Sequence, residues 1–163
     1  MSFVETAPPG DAVGRAMRPV LILARTLLAS LIGYLALVEL IRSRFRPFLG
    51  FAGLGRRLSV RYVFYLAAAA AVIVIRVLNS VGLRRKKPSS PESLLGRLRT
   101  VAWLTLAAAE TPALAGLALF LVGGYNEDFY WLNFVSLLLL FMYFPRPKNW
   151  EAHLRNAPRA CPF

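Results

Sequence analysis

The chain has 163 residues, of which 57% are hydrophobic and 17% charged, with a formal net charge of +12. An ordinary soluble domain carries about 45–50% apolar residues, so a mean hydropathy of +0.53 argues against a soluble fold and for a small polytopic membrane protein. Most cations lie between apolar runs, where Lys and Arg fix topology and meet anionic headgroups, and no soluble domain is left to bind nucleic acid.

Residues 1–18 are Pro/Gly-bearing and are expected to be a disordered N-terminal segment. They delay the first apolar run too long for a typical secretory signal, and no small-residue cleavage site follows that run. The first segment should therefore remain in the mature protein. Four apolar segments follow, at about 19–41, 62–78, 98–122 and 129–144. Each approaches or exceeds the ~17–25 residues of a spanning helix. The second is the weakest, because its apolar core is short and Arg76 interrupts its far end, where a long cationic side chain can snorkel. Residues 67–75 nevertheless show no polar face, so a span is favoured over an interfacial helix. The predicted fold is an all-α integral membrane four-helix bundle, a single transmembrane domain over 19–144, followed by a basic C-terminal tail over 145–163.

The first loop holds six arginines between Arg42 and Arg61, the second contains Arg84, Arg85, Lys86 and Lys87, and the third is acidic through Glu127 and Asp128. Placing both termini in the cytoplasm puts the second loop and the tail inside and the acidic loop outside, as positive-inside counting requires. The arginine-rich first loop is then on the wrong side. A three-span chain would satisfy the rule better. Heavy Ala, Leu and Arg usage without glycosylation sequons points to a bacterial inner membrane.

Glu110 lies near the middle of the third segment, within Ala107-Ala-Ala-Glu-Thr-Pro-Ala-Leu-Ala-Gly116. A carboxylate at that depth is costly and usually faces a bundle interior. Pro112 adds a helix irregularity two residues later, since it lacks an N–H and crowds the carbonyl one turn back. Two readings follow: a reversible proton or cation site, or a buried hydrogen-bonding group that fixes helix packing. By depth, Ser30 and Tyr34 of the first segment and Ser136 of the fourth are candidate hydrogen-bond partners. Ala109, Pro112, Ala113 and Gly116 give the helix a smooth face suited to close packing. Glu39 and Arg42, three apart, should pair at the membrane surface. Arg25 is expected to snorkel rather than to compensate Glu110.

No catalytic constellation can be assembled. The lone His153 cannot support a Ser/His/Asp triad, and no GxGxxG or P-loop is present. One cysteine, Cys161, and one histidine leave no ligand set for a metal, and no cofactor is expected. The chain is therefore read as non-enzymatic, a structural or accessory subunit whose partners are anionic lipids, held by Arg84, Arg85, Lys86 and Lys87, and partner transmembrane helices or further copies of itself.

The segment Ala109-Glu-Thr-Pro-Ala-Leu-Ala-Gly-Leu117, with Pro91-Glu92 upstream, resembles the ion-binding outer helix of the c subunits, or proteolipids, of rotary ATPases. The resemblance covers about residues 91–122 and implies that Glu110 is a proton- or sodium-binding carboxylate. The partner helix of that family is striped with glycine, whereas residues 62–78 carry alanines. The overall plan also resembles small bacterial four-span membrane proteins with a Glu-x-Pro-Ala-Leu helix and a closing Phe-Pro-Arg.

Overall fold

The computed structural model describes residues 9–52, 58–84 and 91–145, and these form four helices and no strand. They are α1 (Pro9–Arg44), α2 (Leu58–Arg84), α3 (Pro91–Gly123) and α4 (Asn126–Met142). Three of them, α1, α2 and α3, are long and apolar enough to cross a membrane by length and composition. The protein is an all-α bundle of the membrane type.

The helices outrun the apolar segments. α1 starts at Pro9, so residues 9–18, expected to be disordered, are helical, while residues 1–8 and the tail from 146 onward lie outside the described residues. Hydropathy marks only the part of a helix suited to hydrocarbon. Once a helix is nucleated, each further residue adds one backbone hydrogen bond, so a helix formed in the apolar stretch runs on into polar flanks. Pro91 opens α3, a position at which its missing N–H leaves nothing unpaired. The ranking of the segments is also corrected. The second, read as weakest, is extended by both flanks into a 27-residue helix, whereas the fourth is only 17 residues long. At 1.5 Å per residue α4 reaches about 25 Å, against a hydrocarbon core of about 30 Å.

α3 is the central helix. It packs against α2, α4 and α1, while α1 and α4 touch only sparsely. Contacts at both ends fix the directions. The end of α1 meets the start of α4, the start of α2 meets the start of α4, and residues 48–52 pack on the end of α3. At the opposite end Asn79 of α2 bonds to Thr105 of α3, and Met17, Leu98 and Leu139 share one cluster. The helices therefore alternate in direction. We call the two ends the Asp128 end and the Arg18 end.

The main core runs through Val20, Leu31, Ile75, Leu106, Ala109 and Ala113. A smaller core at the Asp128 end holds Val38, Phe120 and Phe129. Outward faces stay apolar, with Ile22, Ile32, Leu66, Ile73 and Trp131 all exposed. Such a surface is at home in lipid and is a liability in water.

The connection after α1 seals the end of α3. The last carbonyls of a helix have no partner inside it; here Phe51 N–H donates to Leu121 O (2.8 Å) and Ala52 N–H to Val122 O (3.4 Å). Gly124 stops α3 in a left-handed turn, φ +68°, with its N–H on Phe120 O at 2.8 Å. Gly50, φ +85°, brings the loop so close that a Cβ there would strike the Val122 carbonyl group.

Candidate functional site

Glu110 is half-buried on the side of α3 that faces α1. Ser30 and Tyr34 are four residues apart and so share one face of α1. Tyr34 O–H donates to Glu110 Oε1 at 2.7 Å, and Ser30 Oγ lies 2.8 Å from the same oxygen. Ser30 Oγ also lies 2.8 Å from its own helix carbonyl, Leu27 O. Serine has one proton for two acceptors. That proton can go to Glu110 Oε1 or to Leu27 O, so the two contacts compete for it.

Ser136 is not on Glu110. Its Oγ accepts the Ala113 backbone N–H at 2.8 Å, fully buried. The physical reason is Pro112: a proline inside a helix disturbs the hydrogen bonding of the turn before it, and a neighbouring hydroxyl can re-satisfy a freed backbone group. α4 thus supplies a side-chain acceptor where α3 is irregular. Thr26, on the same face of α1 as Ser30, bonds back to Ile22 O (3.0 Å) within its own helix.

The small-residue face of α3 is used inside the chain. Ala109 and Ala113 have no exposed area, and a Cβ on Gly116 would come 3.0 Å from Leu132 Cβ and 3.2 Å from Phe129 Cα. α4 seats directly on that face, so it is not open to a separate partner helix. Arg25 is exposed and has no ion pair with Glu110. Arg42 pairs with Glu39 at 3.3 Å, both exposed, as their spacing predicts. Tyr130 O–H of α4 also donates to Glu39.

A second polar cluster was not legible in the sequence. Asp128, the second acidic residue of α4, is 4% exposed. Its Oδ1 accepts from Arg61 Nη2 at 2.6 Å and from Tyr65 O–H at 2.8 Å, both on α2. The Arg61 guanidinium also sits 5.4 Å from the centre of the Tyr125 ring, in cation–π range. Arg61 and Tyr65 are four apart on one helix face, and that spacing was the only available signal. Nothing in the sequence says that an acidic pair beside a turn will face α2 rather than water. A third contact, Asn79 Nδ2 to buried Thr105 Oγ1 at 3.3 Å, ties α2 to α3 toward the Arg18 end.

Of the four basic residues of the second loop, Arg84 closes α2 and Arg85, Lys86 and Lys87 lie outside the described residues. Near the Arg18 end a surface groove is lined by Gly96, Arg99, Thr100, Trp103 and Leu104 of α3. The chain matches no protein-family model, no curated protein and no solved structure.

Proposed function

We propose that the chain is a non-enzymatic, multi-pass membrane protein, a structural or accessory subunit in which Glu110 ties α1 to α3 at mid-membrane depth. The observation that carries this reading is the convergence of Ser30 and Tyr34 on one oxygen of Glu110. Hydrogen bonds between membrane helices are worth about 0.6 kcal/mol on average and up to ~1.7. Three such ties, at Glu110, Asp128 and Thr105, join α3 to α1, α4 to α2, and α2 to α3.

The orientation we propose is four passes in a bacterial inner membrane, with both termini in the cytoplasm and the Asp128 end outside. The arginine-rich first loop then lies on the side that the positive-inside rule disfavours. At the cytoplasmic end the proposed partners are anionic lipids. The groove at Arg99 sets a cation and a hydroxyl beside Trp103 and Leu104, a combination suited to a phosphate headgroup with its acyl chain. With the small-residue face of α3 occupied by α4, a partner helix or second copy would meet the outer face of α2, where Leu66, Ile73 and Val77 are exposed.

A second reading, a proton- or cation-binding site of the proteolipid kind, is favoured by the place of Glu110 inside an apolar helix with two hydroxyls gathered on one of its oxygens. Comparing Glu110→Gln with Glu110→Ala separates the two. For a tie, Gln retains thermal stability in detergent and Ala lowers it by about 0.5–2 kcal/mol. For an ion site, Gln abolishes proton leak or a growth phenotype while stability is unchanged. Equal stability and equal phenotype in all three proteins would remove both readings.

A further inference from the structure

Asn133 of α4 is 4% exposed, and its Oδ1 has no hydrogen-bond partner among the described residues. In a bundle of this kind an orphaned amide carbonyl is a substantial cost, because lipid offers no substitute partner. Its place on α4 is informative. One turn before it, Tyr130 donates to Glu39 of α1 at the exposed Asp128 end. One turn after it, Ser136 accepts from Ala113 of α3, three residues beyond Glu110. Asn133 therefore lies on the stretch of α4 between the outer rim and the level of Glu110. Tyr34, which donates to Glu110, and Tyr130 pack against the same small core of Val38, Phe120 and Phe129. The two helices bordering this seam, α1 and α4, pack against each other more sparsely than either packs against α3.

We propose that the seam between α1 and α4 is a hydrated path from the Glu39–Tyr130 rim to Glu110, with Asn133 as its internal water-binding residue. Buried waters typically sit on otherwise unsatisfied polar groups and make about three hydrogen bonds each. The Asn133 carbonyl supplies one acceptor, and the Tyr130 and Tyr34 hydroxyls supply groups on either side of it along the path. Water reaching Tyr34 comes within one hydrogen bond of the Glu110 carboxyl. The chemistry is proton exchange: the carboxyl O–H bond breaks as an O–H bond to a proton from the water chain forms, and no net charge moves. This inference rests on the reading of Glu110 as a proton-bearing acid.

The test follows the carboxylic-acid C=O stretch by infrared spectroscopy while the full chain, in lipid vesicles, is transferred to D2O. A band present in the native protein and lost in Glu110→Gln belongs to Glu110, and its shift reports replacement of the proton by deuterium. Asn133→Leu fills the site with an apolar group of similar size and should slow that shift about tenfold, the factor that corresponds to one lost hydrogen bond on the path. Asn133→Ser keeps a polar group and should exchange at the native rate. Should the leucine variant not fold, Asn133→Val carries the same prediction. Exchange as fast in Asn133→Leu as in the native chain, or equally slow in Asn133→Leu and Asn133→Ser, would overturn the path. Absence of any band that depends on Glu110 would instead overturn the acid reading on which it rests.

Discussion

Asp128 and Glu110 illustrate how differently two carboxyl groups can be read. Glu110 stands out because it is alone in an apolar run, and that isolation also restricts its partners to the few hydroxyls at its depth. Ser30 and Tyr34 could be found because a four-residue spacing puts both on one face. Ser136 has the right depth but the wrong direction, and depth alone cannot supply an angle around a helix. Asp128 looks like an ordinary loop acid, yet it is the more deeply buried of the two. Removing its side chain should leave the Arg61 guanidinium and the Tyr65 hydroxyl without their shared acceptor. Because Arg61 is 38% exposed and can turn to water, the expected loss for Asp128→Ala is about 1–3 kcal/mol rather than the larger cost of stranding a fully buried charge. Chemical denaturation in detergent measures it. A loss no larger than that of Glu127→Ala, an exposed control on the same turn, would show that the pair contributes nothing.

At the scale of the helices, α3 is the element on which the others depend, and its irregularity at Pro112 is supported from outside. Ser136→Ala should leave the Ala113 N–H buried without its side-chain acceptor, at a cost of about 1–3 kcal/mol. Ser136→Thr, which retains a hydroxyl, should cost less. Amide hydrogen exchange at Ala113 supplies a local readout, and unchanged protection in Ser136→Ala would mean that the helix closes its own hydrogen bond there. The existence and type of the four helices could be read from hydropathy, since runs this apolar admit little else. Their ends could not, because helix propagation into polar flanks leaves no mark in hydropathy. The sealing of α3 by residues 50–52 was equally hidden: a Gly-bearing arginine loop carries no signal that its backbone will cap another helix.

For the molecule as a whole, alternating helix directions place the two ends of α2 at opposite ends of the bundle. If the bundle lies in a membrane with its axis across it, the loops before and after α2 face opposite sides. With Cys161 replaced by Ser, single cysteines at Gly53→Cys and Pro88→Cys should react with a membrane-impermeant thiol reagent from opposite faces of oriented vesicles. Labelling from one face would mean that α2 does not span, and would favour three passes.

The central claim is that Glu110 and Tyr34 are energetically coupled across the contact between α1 and α3. A double-mutant cycle with Tyr34→Phe, Glu110→Ala and the combined variant, read by reversible unfolding in detergent, tests it most directly. The account predicts that the double variant loses less stability than the two single variants together, by about 0.5–1.7 kcal/mol. Strictly additive losses would contradict it.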